Sequence, residues 1–204
     1  MVIFLIEWLN LLLLVATLIA SVYYYLKSVQ PAKLEQEIGE IAYEKCARYR
    51  IYSTIPFYFL LIVCYGLYVF YPLPLPIPNE LPWDYSISVV LAIVIAIPSF
   101  ALMGLGARDA GEETLLPKKE HKMYGGIYNK IRHPQSLGEV WVAVIIALIL
   151  NRTFLLLLGF LWFPVFYYFT VVEERDLILR YGQAYVDYRE RVGMYFPKRT
   201  KKKT

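Results

Sequence analysis

The chain has 204 residues, of which 58% are hydrophobic and 19% charged, with 19 tyrosines and a mean hydropathy of +0.46. These figures exclude a disordered protein, a small secreted disulfide scaffold and an ordinary cytosolic enzyme, and they point to a polytopic membrane protein. The net charge is only +4, although 21 residues are Lys or Arg. Their placement therefore carries more information than their sum.

Five apolar runs approach the roughly 20 residues needed to cross a bilayer. The first, Val2–Leu26, has neither a basic leader nor a small-residue cleavage site, so it reads as a retained span rather than a signal peptide. The second is Ile51–Tyr71 and the third Ser86–Gly106, with Pro98 inside it. The fourth, Gln135–Leu150, is short, and the fifth, Thr153–Val172, contains Pro164. Prolines are tolerated in membrane helices because neighbouring groups re-satisfy the freed carbonyls. Only Asn151 and Arg152 separate the last two runs, which forces an antiparallel hairpin. Alternate prolines in Pro72–Pro78 demand an extended segment instead.

Lys27–Arg50 holds five basic residues, Ala107–Pro134 six and the region after Val172 nine. Pro72–Tyr85 holds none and the Asn151–Arg152 turn one. With five spans these segments alternate sides, so 20 basic residues share one face. The positive-inside rule then sets the N-terminus outside and the C-terminus in the cytoplasm. Tyr23, Tyr24, Tyr25, Tyr71, Tyr167 and Tyr168 lie near span ends, as interfacial aromatics do.

After Val172 the apolar positions Leu177, Ile178, Tyr181, Tyr185 and Tyr188 follow near-helical spacing. They predict an amphipathic cytoplasmic helix that continues or follows the fifth span, with Gly182 as its soft point. The basic tail Lys198–Lys203, beside a membrane, fits anionic lipid headgroups better than nucleic acid. The expected fold is all-α, with about five transmembrane helices and a C-terminal amphipathic helix. Residues 1–106 supply three N-terminal spans. Residues 107–204 supply a loop, the hairpin and the last helix, integrated with them as one domain.

Cys46 and Cys64 lie in dissimilar surroundings and form no C-x-x-C, so they suggest neither a disulfide framework nor a metal site. His121 and His133 likewise lack a metal-ligand spacing. The chemistry-bearing residues fall in two segments. One runs from Glu120-His121-Lys122-Met123-Tyr124 through Gly125-Gly126-Ile127-Tyr128 to Arg132-His133-Pro134 and Gly138-Glu139; the other is Glu173-Glu174-Arg175-Asp176. Pro134 suits the first turn of the fourth span, whose free N–H groups would favour a carboxylate or phosphate. The tight hairpin returns Glu173 and Glu174 to the same boundary. Acidic and basic groups converge there, in a layout that suits a zwitterion carrying an amino and a carboxyl group. Glu139, an acid about one turn inside a span, is a candidate for function, whereas Glu7 in the first span has no motif around it.

Together these residues resemble the isoprenylcysteine carboxyl methyltransferase and phospholipid methyltransferase superfamily of integral membrane enzymes. The resemblance covers Leu116–Lys198. It rests on Gly126-Ile127-Tyr128, on Arg132-His133-Pro134 with Gly138 following, and on Glu173-Glu174. It continues through Tyr181-Gly182-Gln183-Ala184-Tyr185-Val186-Asp187-Tyr188 to Tyr195-Phe196-Pro197.

The resemblance implies S-adenosylmethionine as methyl donor, S-adenosylhomocysteine as product, and a lipid acceptor that arrives through the membrane. It implies that His121, Lys122, Met123 and Tyr124 line the adenosine. Tyr128, His133, Pro134, Gln135 and Ser136 would hold the methionine part, and Glu173 its amino group. Arg132, Glu139 and Glu174 are the catalytic candidates, the two acids as bases if the acceptor is an amine.

Three positions depart from the family pattern. Ser136 stands where the family has Tyr, and the segment leading to His121 is one residue shorter. Phe169 stands where the carboxyl methyltransferases carry an Arg that engages the acceptor's carboxylate. A lipid amine, thiol or other apolar acceptor gains ground accordingly. Two alternatives remain open on sequence: an NADPH-dependent sterol or lipid reductase, whose His-Pro and Gly-Glu pattern His133-Pro134 and Gly138-Glu139 resemble, and a non-enzymatic lipid-binding protein.

Overall fold

The computed structural model describes residues 2–114, 116–117, 119 and 125–198. Among the described residues nine α-helices are formed: α1 (Val2–Ser28), α2 (Pro31–Ile38), α3 (Ile41–Phe59), α4 (Tyr65–Phe70), α5 (Tyr85–Ala110), α6 (Pro134–Glu139), α7 (Val142–Leu150), α8 (Thr153–Tyr181) and α9 (Gln183–Arg191). No strand occurs among the described residues, where Ile131 and Gly193 form an isolated parallel bridge.

Among the described residues four continuous helical segments are long and apolar enough to cross a bilayer: Leu5–Ser28, Ile41–Phe70, Tyr85–Thr114 and Thr153–Tyr181. The chain is thus an all-helical integral membrane protein, as its composition requires. The fourth apolar run is shorter, and it breaks at Val140–Trp141 into α6 and α7, of six and nine residues. Nine residues rise about 14 Å, roughly half of a hydrocarbon core. The second span starts ten residues earlier than its apolar run, because α3 extends through the polar stretch before Ile51. A π-helical turn, Leu60–Cys64, joins α3 to α4, and the Asn10 side chain donates to the Cys64 carbonyl at 3.0 Å. That bond satisfies a backbone acceptor where the helical ladder is irregular.

The core is apolar and aromatic. Leu14 of α1, Phe57 and Leu60 around the second span, Ala143 and Ala147 of α7, and Leu155 and Trp162 of α8 form one buried cluster. Small residues let the backbones approach. A Cβ at Gly138 would stand 2.3 Å from the Ser99 carbonyl oxygen, so only glycine allows α6 to lie against α5 this closely. Asn151, at φ 53, closes the α7–α8 hairpin.

One end of the bundle gathers the proline-rich segment and the hairpin turn: Thr153 N–H donates to Asn79 O, and Arg152 pairs with Glu80. The other end gathers the basic segments. There the Asp176 carboxylate accepts from the backbone N–H groups of Ala32 and Lys33, tying α2 to α8. Arg180 pairs with Glu113 at 2.5 Å, tying α8 to the 3-10 turn Gly111–Thr114. The expected cytoplasmic helix takes two forms. Its first half continues α8 without a break to Tyr181, and its second is α9, turned off at Gly182.

Candidate functional site

At this polar end a cavity opens between α1, α3, α8, α9 and the segment leading into α6. It encloses about 710 Å3 of empty space, the open solvent at its mouth included. Five tyrosines line it: Tyr25, Tyr128, Tyr181, Tyr185 and Tyr188. The polar wall comes from Arg50, His133, Gln135, Ser136 and Glu173. An aromatic enclosure with a few convergent polar groups is the usual form of a small-molecule site.

His133 lies at the centre. Its Nε2 is 3.1 Å from Glu174 Oε1, and its Nδ1 is 3.5 Å from Glu173 Oε2. Burial disfavours the charged ring, but the hydrogen bonds and negative charges of Glu173 and Glu174 outweigh it and raise His133 above its ordinary value of 6.5. The segment is fixed by its backbone as well. The N–H groups of Arg132 and His133 donate to Met194 O, and that of Arg132 also to Gly193 O. The chain after α9 thus holds the approach to α6.

Arg132 and Glu174 form a buried ion pair at 2.7 Å. Arg132 Nη1 also donates to the carbonyls of Arg189 and Val192, and Glu174 also accepts from Arg189 at 3.2 Å. Arg132 reaches the cavity wall, whereas Glu174 lies outside its lining. Gln135 donates to the Tyr128 hydroxyl at 2.9 Å, and the Tyr188 hydroxyl donates to the Tyr128 carbonyl at 2.7 Å. Burial raises both the Tyr128 and Tyr188 phenols, that of Tyr188 to about 12, so both stay protonated near neutral pH. Gly126 is held at φ +58 with Asp109 beside it, and the Asp109 carboxylate accepts from Ile127 N–H at 2.8 Å.

Of the residues singled out on sequence, Tyr128, Arg132, His133, Gln135, Ser136 and Glu173 line this cavity together. Pro134 opens α6 but is packed behind it, its Cγ facing Gly106. His121, Lys122, Met123 and Tyr124 lie outside the described residues. Glu139 faces a different cavity of about 370 Å3, open solvent at its mouth included, walled by Tyr25, Ser53, Phe57, Trp162 and Phe169. Tyr25 lines both cavities and stacks on Phe169 with ring centroids 4.3 Å apart.

Tyr25 and Arg50 were not legible as site residues. Tyr25 sits in a run of three tyrosines that fits an interfacial belt, and Arg50 counts among the basic residues that set topology. The available signal for Arg50 was its position immediately before the apolar run at Ile51.

Fold and site together define an integral membrane protein with an aromatic, charged cavity at one end of its helical bundle. Residues 86–184, just under half of the chain, match the family model of the phospholipid methyltransferases. This stretch, which runs from α5 into α9, is thus similar to that family, part of the membrane methyltransferase superfamily that includes the isoprenylcysteine carboxyl methyltransferases. A search of curated proteins gives no match.

Proposed function

We propose that the protein transfers a methyl group from S-adenosylmethionine to a lipid or lipidated acceptor at the cytoplasmic face of the membrane. The observation that carries this reading is His133 set between Glu173 and Glu174 beside a tyrosine-walled cavity, inside the stretch that matches the family. The cytoplasmic assignment rests on the basic residues, 20 of which fall in sequence segments that the alternation of apolar runs sets on one side. It puts the N-terminus outside and the C-terminus inside.

The residues fit this donor. Glu173, lining the cavity, offers a carboxylate to an α-ammonium group. His133, its two ring nitrogens turned to Glu173 and Glu174, holds that carboxylate in place. The tyrosine faces suit both an adenine ring and a sulfonium. When bound, S-adenosylmethionine supplies an electrophilic methyl carbon on that sulfonium.

The chain's own residues bind, orient and exclude water. Tyr128, Gln135 and Ser136 form one wall, with Tyr128 held in place by Gln135 and Tyr188. Arg132 and Glu174, spent on each other and on backbone carbonyls, position His133 rather than touch the donor. The adenosine is assigned to His121, Lys122, Met123 and Tyr124, which precede Gly125 in the sequence. Glu139, at the end of α6, serves as a base where the acceptor is an amine. In-line displacement needs alignment above all, which a rigid wall supplies. In this division of labour residues 107–204 hold the donor, while residues 1–106 supply the membrane wall through which the acceptor enters.

Calorimetric titration of the purified protein with S-adenosylmethionine, S-adenosylhomocysteine and NADPH tests the reading. Binding of the first two is expected. Binding of NADPH alone would replace it with a reductase, and binding of none would leave a lipid-binding protein.

A further inference from the structure

Arg50 stands outside the stretch that matches the family, yet its side chain lines the cavity. Its Nη1 donates to the carbonyl of Thr114 at 2.8 Å. Its Nε is buried and has no hydrogen-bond partner among the described residues. It forms no ion pair among them either, whereas Arg132 and Arg180 in the same region each pair with a glutamate, although Arg180 Nε and Nη2 are likewise without a hydrogen-bond partner there. A buried guanidinium N–H without a partner is costly, and the usual remedy is an anion that takes the open edge of the fork.

The helix that carries Arg50 also shows where such an anion's body would lie. Ser53, Thr54 and Phe57 follow Arg50 on α3 at spacings that share one face, and all three line the Glu139 cavity. On α1, Ser21 and Tyr25 make the same passage, with Tyr25 lining both cavities. Beyond them the wall is apolar: Phe57, Trp162, Phe166 and Phe169. A cation at the polar end and an aromatic chamber toward the membrane, joined along two helices, match an amphiphile with an acidic head.

We propose that Arg50 is the acceptor-binding residue and holds a carboxylate or phosphate on the acceptor, whose apolar chain runs past Ser53 and Phe57 into the Trp162 chamber. This builds on the methyl-transfer reading and adds the acceptor's charge class to it.

Trp162 provides the optical probe. The full chain in nanodiscs is titrated with three dibrominated 18-carbon probes: a fatty acid, a lysophosphatidic acid and a fatty alcohol. Trp162→Phe identifies the quenching that arises in the chamber. At least one acidic probe is expected to quench Trp162 at a midpoint about tenfold or more below that of the alcohol. Arg50→Gln should remove that advantage, Arg50→Lys should keep part of it, and the alcohol should be unaffected. The acid with the larger loss names the head group, carboxylate or phosphate. Equal quenching by acids and alcohol, or an acidic midpoint unchanged in Arg50→Gln, would overturn the proposal.

S-adenosylhomocysteine affinity is measured on the same samples. An unchanged value in Arg50→Gln shows an intact fold and a role confined to the acceptor. A large loss would move Arg50 to the donor's carboxylate and also overturn the proposal. A wild-type protein that takes the acidic probe through Arg50 but binds no S-adenosylhomocysteine would refute the methyl-transfer reading and leave the lipid-acid site standing.

Discussion

Arg132 Nε lies 2.7 Å from Glu174 Oε1, with both side chains buried and 42 residues apart in sequence. This pair joins the segment before α6 to the polar end of α8. The same carboxylate oxygen is 3.1 Å from His133 Nε2, so one acid sets the position of two neighbours on the opposite segment. Its other oxygen engages Arg189 of α9. Three parts of the chain therefore meet at Glu174, and the cavity keeps its shape only while they do.

Removing one partner of such a pair leaves a buried charge without a mate, which costs about 3–5 kcal/mol. Arg132→Ala and Glu174→Ala are expected to lower thermal stability strongly and to lose donor affinity along with it. The double variant should be less unstable than the sum of the two single effects, because the second removal relieves the orphaned charge. Strict additivity in thermal or chemical unfolding would refute the coupling.

Glu173, one residue earlier, faces the cavity and has weaker ties within the protein: its contact with His133 is 3.5 Å, and its side chain is 30% exposed. Glu173→Gln should therefore leave the melting temperature nearly unchanged while weakening S-adenosylhomocysteine about ten- to a hundredfold, the value of a hydrogen bond to a charged group. Glu7→Gln, in α1 away from the site, should weaken it by less than twofold. Calorimetry on the three proteins checks the difference, and equal small effects would remove Glu173 from the donor site.

The raised His133 gives stability a defined pH dependence. Its folded value lies above the ordinary 6.5 because Glu173 and Glu174 favour the charged ring. A group of this kind contributes fully below its unfolded value, and the contribution disappears as pH rises through the folded value. Relative to His133→Gln, the wild type should hold its largest advantage below about pH 6.5 and lose it progressively as the solution becomes alkaline. Thermal unfolding of both proteins from pH 5.5 to 9 measures the gap. A gap that widens with pH would mean that the ring is neutral in the fold.

Much of this architecture was legible in the sequence, because hydropathy and charge act over long runs. The all-helical membrane class, the tight hairpin at Asn151–Arg152, the extended proline segment and the softness at Gly182 follow from composition and backbone rules. The meeting of His133 with Glu173 and Glu174 followed from the hairpin's short turn. What stayed hidden depends on packing between distant helices. The break of the fourth run at Val140–Trp141 has no proline or glycine at the break itself. Nothing local marks that Glu139 turns away from His133 into the Tyr25 and Trp162 chamber, or that Arg50 leaves a charged segment to face the cavity. Such placements are set by how α3, α6 and α8 face one another, and a single chain's periodicity does not encode that.

Gly138 offers a test of that helix packing which does not depend on any ligand. The nearest atom to a Cβ built there is the Ser99 carbonyl oxygen at 2.3 Å, with Met103 Cγ at 2.7 Å. The side chain of Met103 can rotate away, but the carbonyl belongs to α5 and cannot move without the helix. Gly138→Ala is therefore expected to push α6 off α5 and to destabilise the protein by about 1–3 kcal/mol, the usual cost of overpacking. Because α6 begins directly after His133, the same shift should weaken S-adenosylhomocysteine. Gly104, also on α5, has open space around its Cβ position, so Gly104→Ala should be neutral or slightly stabilising through helix propensity. Unfolding curves for the two alanine variants decide the matter: equal stability would show that α5 and α6 do not approach as closely as Ser99 and Gly138 require.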